Sequence, residues 1–339
     1  MPELEIYIRI LAFILGSMVG SFLNVCIVRM PHDKSIVWPG SHCVHCKKSL
    51  SWYDNIPLLS YLFLGGRCRY CRQKISVRYF LVELLTASMF LLFYMYFGLE
   101  IILLPYLIML CGFIVATFID FGHRIIPDQI SMGGMFVGLI LSAFIPQLHE
   151  QYDPGWSYGR CFMWIIIGIC FLAALMNFFR YQKEMNKEDL LSEKIFLGSL
   201  IFFVVMEAVL FFTTSYLHAH GWSTLARHCQ SLDASLLGVL IGGGSIYAMG
   251  VLGDWMFKKE SMGGGDIKLM AMVGAFLGWK FAILAFFIAP FFGAIYGITS
   301  KFLTKDSTIA YGPFLCLGSL LSLFYGNRII DIIMHGSIM

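Results

Sequence analysis

The sequence predicts an all-α polytopic membrane protein, and its composition and the grouping of its apolar residues are the evidence. Of 339 residues, 58% are hydrophobic and only 13% are charged, and the mean hydropathy is +0.76. Soluble globular proteins carry about 25% charged residues. The apolar residues form runs of the length that crosses a bilayer, roughly 20 residues each. The net charge of +3 is too small to indicate nucleic-acid binding.

About ten apolar runs are candidate spans. The first follows an N-terminus that carries Glu3 and Glu5. Because cleaved signal peptides begin with basic residues, we expect this helix to be retained. The eighth run is short and rich in glycine, so we expect a half-span or a tilted helix. The predicted spans are 6–28, 79–97, 101–119, 130–146, 161–179, 196–217, 234–252, 267–279, 281–300 and 310–333.

Lysine and arginine set the predicted orientation. The polar segment 29–78 holds nine of them, and the positive-inside rule places this segment in the cytosol. Counting spans from there puts 120–129, 180–195, 253–266 and 301–309 on the same side, and each carries at least one positive charge. The opposite segments carry only Arg160, Arg227 and Lys280. The charge distribution therefore agrees with the span count.

Glycine marks candidate sites of close helix approach, because small residues let helix backbones come together in membranes. The sequence shows no clear internal repeat. The candidate glycines are Gly16, Gly20, Gly242, Gly243, Gly244, Gly250 and Gly253.

Two Cys-x-x-Cys pairs lie in the cytosolic segment, separated by 21 residues: Cys43 and Cys46, then Cys68 and Cys71. Four thiolates in this arrangement form a tetrahedral metal site, as in zinc ribbons. The metal would supply folding energy to a loop too small and polar to bury a core. Structural disulfides are disfavoured in the cytosol. A redox-active dithiol pair and an iron–sulfur site remain alternatives to zinc. We expect the module to have a structural role, that of holding the loop folded, rather than a chemical one.

Two aspartates stand where spans meet the cytosolic face. Asp120 ends the third span, and Asp266 follows three glycines at the start of the eighth. Two carboxylates that lie close together share one proton. The ionised member then deprotonates a water, while the protonated member hydrogen-bonds the scissile carbonyl. This is the chemistry of an aspartic protease, and it predicts Asp120 and Asp266 as the catalytic residues.

Other acidic residues compete with this pair. Either aspartate alone also fits a residue that ends or caps its helix at the interface. Asp128 directly precedes a span and looks like an N-cap, and it is the main rival as a catalytic member. Asp254 is a weaker rival. Glu83 and Glu207 lie in or near spans, and we expect them to be paired or interfacial.

Further segments, together with these motifs, carry a family resemblance. They are 20–25, 29–31, 52–61, 76–79, 82–85, 119–120, 126–128, 263–268 and 311–314. In this order they resemble the prepilin peptidase family, also called type IV leader peptidases and N-methyltransferases, whose aspartic peptidases carry a Gly-x-Gly-Asp motif. The resemblance covers nearly the whole chain except about 147–233. A lone Gly-x-Gly-Asp would not be specific, whereas the ordered set is.

The resemblance implies a membrane endopeptidase of the bacterial inner membrane, with its catalytic face in the cytosol. Such enzymes cut the leader of type IV prepilins or pseudopilins after a glycine, in the context of a pilus or a type II secretion system. Asp120 and Asp266 match the catalytic aspartates of the family. Many members then methylate the new N-terminus with S-adenosylmethionine, an activity associated with the cysteine loop. No Gly-x-Gly-x-x-Gly signal marks where the methyl donor binds.

The resemblance also predicts how the chain is divided. Typical members have about eight spans, so 147–233 is interpreted as an insertion of two extra spans, an even number that preserves the topology. The predicted segments are a first helix at 1–28, the cysteine domain at 29–78, helices with the first aspartate at 79–146, the insertion at 147–233, and helices with the second aspartate at 234–339.

Two other functions remain open on the sequence. The first is a peptidase without methyltransferase activity, in which the cysteine loop is only structural. The second is a membrane transporter or redox carrier. A transporter is expected to show inverted repeats and acidic residues near the middle of the membrane, and the sequence shows neither.

Overall fold

The structure, a computed structural model, describes residues 2–149, 165, 168–169, 172, 187–258, 262–303 and 310–335. It divides into two compact units, 1–127 and 128–339. The described part of the chain is helical and forms no named β-strand, which confirms the all-α fold class. The predicted span 161–179 falls almost entirely outside the described residues.

The helices follow the apolar runs of the sequence. Unit 1–127 contains α1 (Pro2–Arg29), α2 (Leu59–Phe63), α3 (Val77–Phe97) and α4 (Leu103–His123). Unit 128–339 contains α5 (Asp128–Phe144), α6 (Lys187–Ala219), α7 (Ser223–Phe257), α8 (Gly264–Leu303) and α9 (Gly312–His335).

Seven described helices are long and apolar enough to cross a membrane, so the protein is a multi-pass membrane protein. The helix α5, with 17 residues, is apolar but shorter. The seven candidate spans are Leu4–His32, Val77–Phe97, Leu103–His123, Ile201–Ala219, Ser223–Met256, Gly264–Ser300 and Gly312–Ile333.

The 40 residues of α8 do not form one straight rod. A straight helix of that length would measure about 60 Å, twice the bilayer core of about 30 Å. A Cβ added to Gly242 would lie 2.4 Å from the Met270 carbonyl oxygen and 3.4 Å from the Ala282 Cβ. Twelve residues of straight helix would separate those two by about 18 Å. The helix therefore folds back on itself between them.

The fold-back occurs at Gly278, where φ is 76° and ψ is 173°. A residue with a side chain rarely adopts that φ, and a Cβ there would also lie 3.2 Å from the His149 ring. The arm before the break, 264–277, is about 21 Å long. The two arms correspond to the predicted spans 267–279 and 281–300, and the short first arm accounts for the short eighth run.

Glycine lets α7 and α8 touch backbone to backbone. A Cβ on Gly238 would lie 2.0 Å from the Gly274 carbonyl oxygen, and a Cβ on Gly274 would lie 1.9 Å from the Gly238 oxygen. Nearby, the Ser235 hydroxyl donates a hydrogen bond of 2.7 Å to the Ala275 carbonyl. Helix association in lipid depends on such close packing, so this contact holds the first arm of α8 in place.

In unit 1–127, glycines play the same part between α1 and α3. A Cβ on Gly16 would lie 2.7 Å from the Phe90 Cβ, and one on Gly20 would lie 2.8 Å from the Glu83 Cα. Gly16, Gly20, Gly242 and Gly243 therefore occur at close contacts, as the sequence indicated. The contact of Gly238 with Gly274 was not among the predicted ones.

We expect Gly238→Ala to destabilise the protein by about 1–3 kcal/mol, because a methyl group at the α7–α8 contact must push two backbones apart. Gly133→Ala is the matched control, since a Cβ at that helical position meets nothing within 4 Å. The measurement is the melting temperature of both variants in detergent. Equal melting temperatures would show that the two helices do not meet as described.

Candidate functional site

Asp120 lies in the last turn of α4, and its residue is only 6% exposed. The helix ends at once: Arg124 adopts a left-handed conformation, with φ of 56°, and its N–H donates to the Asp120 carbonyl at 2.8 Å. This is a standard way to end a helix. The turn therefore places a buried carboxyl group at the end of a predicted span.

Asp266 lies in the first turn of α8, where its N–H donates to the Gly263 carbonyl at 3.1 Å. The positive end of the helix dipole favours a carboxylate here. Gly263 and Gly264 are exposed, and a Cβ on Gly264 would meet nothing within 4 Å. Because these glycines have no side chains, an extended peptide can approach the backbone beside the carboxyl group.

Tyr311 is a neighbour of Asp266 to which sequence reasoning gave no role. It lies immediately before α9, and its carbonyl accepts the N–H groups of Phe314 and Leu315 at 3.0 and 3.2 Å. Burial raises the pKa of its phenol to about 12, and the charge of the Asp266 carboxylate adds to that shift. The segment 311–314 is one of those that carry the family resemblance, but the motif alone does not show which residue the Tyr311 side chain interacts with.

Asp128 is the first residue of α5, in agreement with its interpretation as a residue that begins a helix. Its Oδ1 accepts a hydrogen bond of 2.7 Å from the Lys268 Nζ. Glu83 is paired as expected, since its Oε2 accepts the Leu58 N–H at 2.8 Å. Asp254 lies in the last turn of α7. Asp128, the main rival of the predicted pair, is thus engaged in an ion pair.

The four module cysteines come together as the sequence predicts. Their sulfur atoms all lie within 4.8 Å of one another, and the Sγ atoms of Cys43 and Cys71 are 3.8 Å apart. Four sulfurs around a metal, with bonds of about 2.3 Å and tetrahedral geometry, would be about 3.8 Å apart. The cluster formed by Cys43, Cys46, Cys68 and Cys71 can therefore hold a metal ion.

The two cysteine pairs lie on two separate tight turns that have the same backbone geometry. In the first, the Cys43 N–H donates to the Lys48 carbonyl at 3.0 Å, and the Lys47 N–H donates to the Cys43 carbonyl at 2.9 Å. Lys47 has a φ of 58°. The pattern recurs 25 positions later, with bonds of 2.9 and 3.0 Å and a φ of 60°, at Cys68, Arg72 and Gln73. Sequence reasoning missed this repeat, because apart from the cysteines the two turns differ in side chains.

Backbone N–H groups prepare the second turn for a metal. Those of Cys71 and Tyr70 point at the Cys68 sulfur and lower the pKa of that thiol to about 7. A thiolate, not a thiol, is the ligand that metals take. At Cys71 a backbone hydrogen bond from Gln73 lowers the pKa, but burial and the three other sulfurs raise it overall to about 11. The spacing of the four sulfurs therefore fits a bound cation, and Cys68 is the ligand on this turn that loses its proton more readily.

Side chains around the cysteines complete the module. The buried Asp54 accepts a hydrogen bond of 2.6 Å from the Arg69 Nε. The Arg69 guanidinium lies 5.2 Å from the centre of the Tyr53 ring, and the Lys48 Nζ lies 4.1 Å from the centre of the Tyr70 ring. Polar and cation–π contacts thus take the place of an apolar core.

Polar groups join the module, α1 and α3 to one another. The two helices are joined to each other by the Asn24 side chain, on α1, which donates to the carbonyl of Tyr79, on α3, at 2.9 Å. The bond from Leu58 to Glu83 joins the module to α3. The Arg29 guanidinium, at the end of α1, donates to the carbonyls of Ser35 and Pro39 at 2.9 and 2.7 Å.

Known proteins resemble the chain along most of its length. A prepilin leader peptidase/N-methyltransferase of Myxococcus xanthus (strain DK1622) is 32% identical over 286 residues, which is 84% of this chain but only 61% of that protein. A type 4 prepilin-like proteins leader peptide-processing enzyme of Escherichia coli O78:H11 is 28% identical, over 93% of each chain. A prepilin leader peptidase/N-methyltransferase of Legionella pneumophila is 27% identical, over 92% of this chain and 90% of that one. No solved structure matches the chain.

Two family models also match. The bacterial peptidase A24 N-terminal domain matches residues 14–97, which include both cysteine pairs. The type IV leader peptidase family matches residues 186–298, which include Asp266, while Asp120 lies between the two matches. The models and the relatives agree with the motifs, the helices and the cysteine cluster. The chain belongs to the type IV leader peptidase family.

Proposed function

We propose that this protein is a membrane aspartyl endopeptidase that removes the leader of type IV prepilins or pseudopilins after a glycine. The observation that carries the proposal is the position of Asp266. Its carboxyl group lies at a helix N-terminus beside an open glycine backbone, in a chain of the type IV leader peptidase family.

In the proposed mechanism, Asp120 and Asp266 form a catalytic pair that shares one proton. Asp266 takes the role of the base that removes a proton from water, since a helix N-terminus favours negative charge. The resulting hydroxide attacks the scissile carbonyl carbon. Asp120, with its buried carboxyl group, donates a hydrogen bond to the carbonyl oxygen and gives its proton to the leaving amine when the carbon–nitrogen bond breaks, while Asp266 holds the proton taken from water.

We expect the protein to lie in a bacterial inner membrane and to cleave its substrates at the cytosolic face. The nine positive charges in 29–78 support a cytosolic position for the cysteine module. Asp266 falls on the same side by the predicted span count. The expected substrates are the precursors of the subunits of a pilus or of a type II secretion system.

We further propose that the protein methylates the N-terminus that cleavage creates, with S-adenosylmethionine as the methyl donor. Support comes from the similar proteins found in Myxococcus xanthus and Legionella pneumophila, because the names of both proteins include N-methyltransferase. The cysteine module is complete, with all four sulfurs in place. A redox or transport role is not favoured, because both matching family models describe peptidases.

The proposed metal of the cysteine module is a structural zinc ion. A site with four cysteine ligands leaves no open position for substrate, as in structural zinc sites. Its contribution is to hold the two turns of the module together, and peptide cleavage is expected to need no metal.

We expect Asp120→Asn and Asp266→Asn each to lower the rate of leader removal by roughly 10³-fold or more, because an amide cannot act as base or acid. The assay is a gel shift with a prepilin that carries a Gly–Phe junction. Asp254→Asn is the matched control and should cleave like wild type. Methylation of a pre-cleaved pilin by the same membranes shows that the variants are folded.

If both asparagine variants still cleave the prepilin, the assignment of the pair is wrong and another acid, with Asp128 first, carries the chemistry. If the wild type cleaves none of several prepilins, the proposed substrate class is wrong.

We expect Cys43→Ser and Cys68→Ser to remove the metal from purified protein, from about one zinc ion per chain to almost none. Methylation should fall with the metal, whereas cleavage should persist. Elemental analysis measures the metal, and Cys229→Ser, outside the module, is the matched control. Iron in place of zinc, or full zinc in both serine variants, would contradict the prediction.

A further inference from the structure

The ion pair between Lys268 and Asp128 joins two helices at the turn that carries Asp266. Its Nζ–Oδ1 distance is 2.7 Å, and both residues lie in unit 128–339. The side chains are 39% and 64% exposed. Exposed ion pairs contribute little to stability, so a stabilising role does not explain why the two charges meet here.

The helix dipoles act differently on the two charges, favouring that of Asp128 and disfavouring that of Lys268. Asp128 lies in the first turn of α5, where the helix dipole favours an acid. Lys268 lies in the first turns of α8, where the same dipole disfavours a cation. The carboxylate of Asp128 offsets this unfavourable position, so Lys268 is held to α5 by a specific contact.

Lys268 stands two residues after Asp266. Successive helical residues are rotated by about 100°, so their side chains leave the helix in nearly opposite directions, about 200° apart. When α5 holds Lys268 on one side, the rotation of the turn is set, and Asp266 points to the other side. The α7 helix supports the same turn, because a Cβ on Gly243 would lie 3.4 Å from the Ile267 carbonyl oxygen.

Among the described residues, the two glycines on the N-terminal side of this turn give it no side-chain support. Gly263 and Gly264 have no side chains, and a Cβ on Gly264 would meet nothing within 4 Å. The openness that admits a substrate therefore also removes packing that would fix the direction of Asp266. A contact from α5 supplies that constraint without filling the space.

We propose that Lys268 and Asp128 are positioning residues for leader cleavage: their ion pair fixes the direction of the Asp266 carboxyl group. The inference rests on the proposed peptidase function. It assigns Asp128 a role through Lys268, with no contact to the substrate.

The test uses the full-length protein in membranes. We would compare wild type with Lys268→Gln, Asp128→Asn, Lys268→Arg and the exchanged pair Asp128→Lys/Lys268→Asp. Lys280→Gln is the matched control, since it makes the same substitution beyond the Gly278 break, at an exposed lysine. Leader cleavage gives kcat and KM, and methylation of a pre-cleaved pilin is measured in the same preparations.

We expect each neutral variant to lower kcat about tenfold, since small displacements of a catalytic group are costly, with KM within about twofold of wild type. Methylation should not change. Lys268→Arg and the exchanged pair should recover most of the lost kcat, because both restore opposite charges at the contact. A purely structural role would lower cleavage and methylation together.

The inference is overturned if both neutral variants retain kcat within about twofold of wild type, or if the exchanged pair is as slow as the slower single variant. A raised KM with unchanged kcat would also overturn it, by assigning these residues to substrate binding. If a neutral variant fails to fold, Lys268→Arg and the exchanged pair still decide. A wild type that does not cleave would refute the proposed function itself.

Discussion

The contact between Gly238 and Gly274 is the constraint on which the second unit depends. Their backbones are so close that a Cβ on either glycine would lie within about 2 Å of the other's carbonyl oxygen. Because the hydrophobic effect gives little driving force for helices to associate within lipid, packing this close is what holds them together. It fixes the first arm of α8, which begins at the turn of Asp266 and ends at the Gly278 break. The position of the proposed catalytic carboxyl group of Asp266 thus depends on the contact at Gly274, eight residues later in the same helix.

The cysteine module solves the opposite problem, because it has few apolar groups to bury. Two copies of one turn direct four sulfurs to a common point, and beside them the buried Asp54 accepts a hydrogen bond from the half-exposed Arg69. Arg29 and Glu83 then join this module to α1 and α3. A metal bound by the sulfurs would connect both turns directly, which explains how so small a segment keeps a defined shape.

The sequence predicted the helices and the cysteine cluster because these depend on local patterns. Apolar runs define the helices, and the short, glycine-rich eighth run indicated the fold-back of α8. The contacts that position Asp266 were not predictable in this way. Lys268 and Asp128 are 140 residues apart, and nothing in either segment identifies the partner. Gly238 and Gly274 resemble many other glycines of the chain, and only the packing of α7 on α8 distinguishes them.

The central proposal is that Asp120 and Asp266 act together at one site. The most direct measurement is cross-linking of the double variant Asp120→Cys/Asp266→Cys in membranes, with mass spectrometry of the joined peptides. The double variant Asp120→Cys/Lys280→Cys is the control, since position 280 lies beyond the Gly278 break. The account predicts efficient oxidation to a 120–266 disulfide and none for the control. No 120–266 disulfide, in protein shown to be folded, would contradict it.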